Sequence, residues 1–475
     1  VNILSDIVAS KQQEIKHLYA AHDLADLARQ AREKCTAADL TEPKFYRALA
    51  AARAAGRPFF IAEFKRKSPS EGWINRDAPL PAQVTAYAQA GAGAISVLTD
   101  GPFFGGDYSD LAAARAALSA LGQEAPCLLQ KDFVLDPIQI YLAKLRGADL
   151  ILLIAAILEP DVLEALRQTA ASVGMGALVE VHDAEELERI RHLPFPVLGI
   201  NNRDLKTFRT ALNRANALRE QAGGRYVVAE SGVRDAVDFQ MVAQADAFLI
   251  GTGLMRGAAL PHSFAQHFHA DGLRVFKACG IRRADTLEAL STAPFAGEAG
   301  LLLGINFSPV SKRRVQDDAL PLLRDPALAR RCVAVFYQNS PEDIRATLAR
   351  YPFRAVQLYA GDTSLDFVRS LQQRVYLACA LRDAADLAQL QAYAADVDCF
   401  ILDGAVPGSG QRIGAAIPAD FAYPFLLAGG LHADNLAAAS AHPRCIGVDV
   451  ASGIEAEGQV ALPAVLRILE GLRAS

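Results

Sequence analysis

The stretch IAEFKRKSPSEGW, Ile61 to Trp73, starts as an apolar run and ends as a charged loop of Ser, Pro and Gly. Side chains two apart on a strand point the same way, so Glu63 and Lys65 share one face at its C-terminal end. A carboxylate and an ammonium there either neutralise each other as a structural ion pair or meet a charged substrate. The kind of sheet that holds the strand decides where that end lies.

Working outward, similar runs recur roughly every twenty to thirty residues: PFFIAEF (58–64), AISVLT (94–99), PCLLQKD (126–132), LILLIAA (150–156), GALVEVH (176–182), VLGINN (197–202), YVVAESG (226–232) and AFLIGTG (247–253). Between them lie segments such as AEELERIRHL (184–193), with helical spacing and solvated charges. Short, almost continuously apolar strands alternating with helices predict a parallel sheet buried on both faces. Eight such strands close a barrel.

The rhythm then starts again with LRVFKACG (273–280), LLLGINF (301–307), CVAVFY (332–337), AVQLY (355–359), VYLACA (375–380), CFILDG (399–404), FLLAGG (425–430) and CIGVDV (445–450). We therefore expect an α/β chain of two fused (β/α)8 TIM barrels, residues 1–268 and 269–475, with the changeover near FAQHFHADGLRVF (264–276). An open doubly wound sheet would want a Gly-rich turn after its first strand, which neither half has. Ile3, Leu4, Ile7 and Val8 have helical spacing, so an amphipathic helix precedes the first barrel.

Composition narrows the function. The 475 residues are 52% hydrophobic and 21% charged, with a net charge of −5, a poor electrostatic match for nucleic acid. The longest apolar run, Leu150 to Leu158, is far short of the roughly 20 residues of a membrane helix, and the N-terminal residues carry charges where a signal peptide would have its apolar core. Seven scattered cysteines without a C-x-x-C suggest neither a disulfide framework nor zinc, and a reducing cytoplasm suits them best.

In a barrel, polar residues at strand C-terminal ends face the mouth, where sites are built. Glu63, Lys65, Lys131, Glu180, Asn201, Asn202, Glu230 and Ser231 all fall there. Stability alone does not favour so many charged groups together, because each must be desolvated. Small residues also follow strands seven and eight of both halves: ESGV (230–233) with GTGLM (251–255), and AGGL (428–431) with ASGIE (451–455). Such turns let backbone N–H groups approach a phosphate.

FIAEFKRKSPSEG, LLQKDF, LVEVH, GINNRDL, VAESGV and LIGTGLM resemble, in order, the strand ends of the indole-3-glycerol-phosphate synthase family, which also carries an N-terminal helical extension. KACGIR, INFSPVSKRRV, VQLY, FILDG, GSGQR, LLAGGL and VDVASGIE resemble the phosphoribosylanthranilate isomerase family. The resemblance implies a bifunctional enzyme of tryptophan biosynthesis. The second barrel would carry out an Amadori isomerisation of N-(5′-phosphoribosyl)anthranilate, and the first would close the product's pyrrole ring with loss of carbon dioxide and water. Both substrates are sugar phosphates, and neither reaction needs a metal or redox cofactor. We expect no nucleic-acid or membrane partner and a monomer.

The resemblance also implies roles. Lys131 is the general acid of ring closure, its pKa expected to be lowered by a neighbouring cation such as Lys65. Glu63, Lys65 and Glu180 are candidates for acid and base in the dehydration, with Asn201 and Glu230 orienting hydroxyls. Ser68, Ser231, Gly232, Gly251 and Thr252 fall at phosphate contacts, as do Gly429, Gly430, Ser452 and Gly453 in the second half. Asp403 would open the furanose ring and the Cys279 thiolate would take the C2 proton, a role that asks for a lowered thiol pKa. Arg313 would receive the anthranilate carboxylate. The family's QLHG becomes QLYAG here, placing Tyr359 where His is usual; the Phe-Asp-Trp after GSGQR is absent, and EGQVALP replaces the Gly-x-Lys-Asp near the C-terminus. A synthase fused to a catalytically weakened second barrel, or to one that is only a phosphate-binding scaffold, is the alternative, and retention of Cys279 with Asp403 argues against both. Residues 68–77, with the single tryptophan, Trp73, read either as a lid over the first barrel or as a loop packed on its rim.

Overall fold

A computed structural model describes residues 3–474 except 123–124, 206, 256–262, 269–273, 293, 296–297, 299, 383, 405–416 and 437–441. The chain divides into two compact units: Val1–Phe208, Leu218–Asp235 and Ala243–Phe268, and Arg209–Ala217, Ala236–Val242 and His269–Ser475.

In the first unit, β1 (Phe59–Phe64), β2 (Ala94–Leu98), β3 (Cys127–Lys131), β4 (Leu150–Ile154), β5 (Gly176–Val181), β6 (Val197–Asn201), β7 (Tyr226–Glu230) and β8 (Ala247–Ile250) form a closed barrel. Every neighbouring pair is parallel, and β1 closes the ring against both β2 and β8. The ladder registers fix which residues share the interior. Ile61, Ala94, Leu129, Leu152, Leu178, Val228 and Leu249 belong to one buried cluster. Two residues further along, the same face carries Glu63, Lys131, Glu180 and Glu230, beside Asn201 at the end of β6. The barrel is thus apolar at its waist and polar at its C-terminal mouth.

The expected N-terminal helix is present as α1 (Ile3–Ala21), followed by α2 (Leu24–Glu33), whose first turn is capped where Asp23 accepts the Asp26 N–H at 2.8 Å. Ile7 buries its side chain, and α1 also delivers a buried cation, Lys11, to Asp132 at 2.8 Å and Asp100 at 3.4 Å, just past the ends of β3 and β2.

The second unit closes in the same way from β9 (Val275–Cys279), β10 (Leu301–Asn306), β11 (Cys332–Val335), β12 (Ala355–Tyr359), β13 (Arg374–Ala380), β14 (Cys399–Asp403), β15 (Phe425–Leu427) and β16 (Cys445–Val450). All sixteen expected strands are therefore found. Within this unit Arg354 pairs with Asp238 at 2.6 Å, so the unit draws in a stretch that lies before residue 269. Among the described residues no helix is long and apolar enough to cross a membrane.

Candidate active sites

At the mouth of the first barrel, Lys65 Nζ lies 2.6 Å from Glu63 Oε1. The two side chains thus pair with each other, although the sequence reading places them at the active site and not in a structural bridge. Across the barrel Lys131 Nζ sits between two carboxylates, 3.0 Å from Glu180 Oε2 and 2.6 Å from Glu230 Oε2. Asn201 Nδ2 donates to Glu180 Oε1 at 3.3 Å. Two glycines make this packing possible: a β-carbon on Gly199 would overlap Glu230 Oε1, and one on Gly251 would overlap Glu63 Oε1. Asn202, just past the end of β6, donates through Nδ2 to the Ser231 carbonyl at 3.2 Å.

The electrostatics of Lys131 correct one expectation. Burial opposes its charge, but Glu180, Glu230 and Glu63 outweigh that and raise its pKa instead of lowering it. Lys65 is tied to Glu63, so the depressing cation is not the dominant neighbour. Glu180, although buried, is held well below the usual carboxylate range by Lys131 and His182. Glu230 is pushed up to about 8 by burial, against the pull of Lys131 and with the repulsion of Glu180. One carboxylate of the pair is thus kept ionised while the other titrates near neutrality.

The turns after strands seven and eight are built alike in both units. Ser231 and Gly232 have φ of 65° and 98°, and Gly429 and Gly430 have 91° and 61°. In each unit a glycine of the eighth turn lies against the backbone of the seventh: a β-carbon on Gly253 would come 3.2 Å from the Val233 carbonyl, and one on Gly453 would overlap that of Leu431. Thr252 opens a one-turn helix, Thr252–Met255, and Ser452 opens a 3-10 turn, Ser452–Ile454. Ser68 is buried in a small hairpin that pairs Lys67–Ser68 with Gly72–Trp73.

In the second unit Cys279 ends β9 and Asp403 ends β14. The face of Cys279 also holds Lys277, fully buried and 3.0 Å from both carboxylate oxygens of Asp449. A β-carbon on Gly304 would come 2.9 Å from the Cys279 sulfur, so only glycine leaves the thiol room. Burial raises the Cys279 pKa, and Lys277 and Arg313 only partly offset this while Asp449 reinforces it. The lowered thiol pKa expected from the sequence is therefore not found, because desolvation outweighs the lysine. Arg313 binds Glu455 through Nε at 2.5 Å and Nη2 at 2.8 Å. Tyr359 accepts from Gln357 at 3.2 Å, and burial together with Cys279, Asp449 and Asp403 raises its pKa. GSGQR (408–412) lies outside the described residues, as does the middle of the changeover, 269–273.

Four partners were missed from the sequence. His182 and Lys277 were legible by alternation, two residues from Glu180 and Cys279. Asp449 and Glu455 carried no local signal, since their partners are 172 and 142 residues away.

Two closed eight-stranded barrels, each with ionisable groups gathered at its strand ends, define a double-barrel enzyme. The family model for indole-3-glycerol phosphate synthase matches residues 4–266, and that for N-(5'phosphoribosyl)anthranilate (PRA) isomerase matches residues 276–470. An indole-3-glycerol phosphate synthase of Albidiferax ferrireducens is 42% identical over 272 residues, 56% of this chain and 98% of its own. The tryptophan biosynthesis protein TrpCF of Salmonella typhi is 34% identical over 428 residues, 87% of each chain. That of Yersinia pestis is 34% identical over 410 residues, 83% of this chain and 80% of its own. The chain belongs to the bifunctional family of tryptophan biosynthesis that joins an indole-3-glycerol phosphate synthase to a phosphoribosylanthranilate isomerase.

Proposed function

We propose that the second barrel isomerises N-(5′-phosphoribosyl)anthranilate to 1-(2-carboxyphenylamino)-1-deoxyribulose 5-phosphate and that the first converts this product to indole-3-glycerol phosphate. The observation that carries the synthase reading is the placement of Lys131 between Glu180 and Glu230 at the barrel mouth. Held as a full ammonium, Lys131 donates a proton to the ketose oxygen as the aromatic carbon attacks. Loss of the ring carboxyl as carbon dioxide then restores aromaticity. The hydroxyl so formed leaves as water, with acid and base drawn from Glu63, Lys65 and Glu180, while Asn201 and Glu230 orient hydroxyls. Ser231 directly follows Glu230 and Gly251 packs on Glu63, which supports a phosphate at Ser68, Ser231, Gly232, Gly251 and Thr252 beside the acid–base groups.

In the second barrel Asp403 protonates the furanose ring oxygen, opening the ring to an iminium. Cys279 as thiolate removes the C2 proton, and the resulting enol tautomerises to the ketose. Arg313 receives the anthranilate carboxylate in exchange for Glu455, and Gly429, Gly430, Ser452 and Gly453 take the phosphate.

Lys131→Met should abolish ring closure, a loss of about 10²–10⁴-fold, and leave isomerisation intact. Cys279→Ser and Asp403→Asn should do the reverse. Near-normal synthase turnover without Lys131 would remove it as the acid; unchanged isomerase activity in Cys279→Ser would make the thiol a packing residue and favour a scaffold barrel. Residues 1–268 and 269–475, expressed separately, should each keep their own activity. The second fragment loses the counter-ion of Arg354 and should melt earlier than the same barrel in the full chain.

A further inference from the structure

One buried titratable side chain beside the synthase residues has no role in the steps above. His182 lies just past the end of β5, two residues after Glu180. Its Nδ1 is 3.2 Å from Glu186 Oε2 on the helix Ala184–Ile190, in hydrogen-bond geometry, and its Nε2 is 3.2 Å from Glu180 Oε1, close enough for charge attraction though not aligned as a hydrogen bond. Glu186 also accepts the backbone N–H of His182 at 2.8 Å, which holds the second carboxylate in place.

A neutral imidazole has one N–H and one lone pair. In either tautomer that lone pair would face a carboxylate oxygen, with little water in this buried position to relieve the repulsion. Only the doubly protonated ring suits both neighbours. Glu180 then has a cation at each oxygen, His182 at Oε1 and Lys131 at Oε2, with Asn201 donating to Oε1. Glu230 has Lys131 as its one cation among the described ion pairs and lies within hydrogen-bonding reach of Glu180, while its Oε1, turned towards Gly199, is buried without a hydrogen-bond partner among the described residues.

We propose that His182 is a positioning residue of the synthase site, a permanently charged imidazolium that keeps Glu180 ionised and turned towards Lys131, so that the exchangeable proton of the Glu180–Lys131–Glu230 cluster resides on Glu230. The proposal rests on the reading of Glu180 as catalytic. The ionisable groups around the ring agree in direction. Burial works against the charge on His182, but Glu180 and Glu186 lift its pKa to about 10, while Glu180 is depressed and Glu230 raised to about 8. The turn Ala155–Ile157, which packs on the helix of Glu186, contributes no ionisable side chain.

The test uses the full chain with ¹⁵N-labelled histidine. The His182 ring signals, identified by their loss in His182→Gln, should keep imidazolium shifts on both nitrogens up to about pH 9. A neutral ring at pH 7.5 would overturn the proposal. In the kinetic arm, loss of the His182 charge raises the Glu180 pKa, so the acid limb of synthase kcat/KM should move to higher pH by about one unit in His182→Gln. Glu186→Gln, which leaves Glu180 untouched, should move it the same way by less. A cooperative melting transition of the first barrel in both variants, followed by calorimetry on the full chain, confirms that they are folded. An unmoved acid limb in both variants overturns the proposal even if the ring is charged. Unimpaired synthase turnover in Glu180→Gln would instead sink the catalytic reading of Glu180 on which it rests.

Discussion

Gly199 on β6 lies directly beneath Glu230 on β7, so close that a β-carbon would occupy the space of Glu230 Oε1. The neighbour that must yield is the end of a side chain, so the barrel can absorb an added methyl while Glu230 cannot keep its place against Lys131. Gly199→Ala should therefore lower synthase kcat by at least tenfold, leave isomerase activity unchanged and shift the melting temperature by only a few degrees. Wild-type synthase kinetics in this variant would show that Glu230 need not sit where it does.

Lys11 is 0% exposed and faces Asp132, Asp100 and Glu14. Removing it leaves two fully buried carboxylates without their cation. Lys11→Met should cost about 3–5 kcal/mol of the first barrel's stability, read by denaturant unfolding. A loss below about 1 kcal/mol would mean that α1 is held by its apolar face alone.

Lys277 pulls the Cys279 pKa down against burial and Asp449. Lys277→Met should therefore push the thiol further up, slowing its alkylation by iodoacetamide and moving the alkaline rise of isomerase kcat/KM to higher pH. An unchanged alkylation profile would remove the lysine as the group that tunes the thiol.

Glu230 titrates at about 8 in the fold against roughly 4.3 in an unfolded chain. A raised carboxyl pKa stabilises the fold below the unfolded value, and that contribution is lost as pH rises through about 8. Glu180, depressed, has the opposite sign: its contribution is present above its unfolded pKa and lost as pH falls through the folded one. Glu230→Gln should flatten the decline in the first barrel's stability between pH 5 and 8, measured by calorimetry. A slope equal to wild type would show that Glu230 does not titrate there.

Trp73 is 47% exposed in its small hairpin, flanked by Arg76 at 4.5 Å and Lys67 at 5.7 Å from the ring, and it leans towards Gly105. The loop thus rests on the rim with half of its indole in water. Binding a non-reactive analogue of the synthase substrate should shift Trp73 emission to shorter wavelength, also in Cys279→Ser. No shift at saturation, with binding confirmed by calorimetry, would exclude closure of this loop over the ligand.

Much of this protein was legible in one dimension. A strand in a parallel barrel is buried on both faces, so each announced itself as an apolar run, and the helices between them by their charges. Alternation along a strand is equally local. It placed Glu63 beside Lys65, and it would have placed His182 beside Glu180 and Lys277 beside Cys279. The family motifs then marked the strand ends to which catalytic roles are proposed.

Tertiary structure alone decided the partners and their charges. Lys131 meets Glu180 and Glu230, 49 and 99 residues away, because barrel closure and strand register bring β3, β5 and β7 to one interior layer. Lys11 reaches Asp132 only because α1 docks where it does. The directions of the Lys131 and Cys279 pKa shifts, opposite to those expected, follow from the same cause. A pKa sums desolvation and every charge within a few ångströms, and neither burial nor neighbours across the barrel are written into the spacing of residues along a strand.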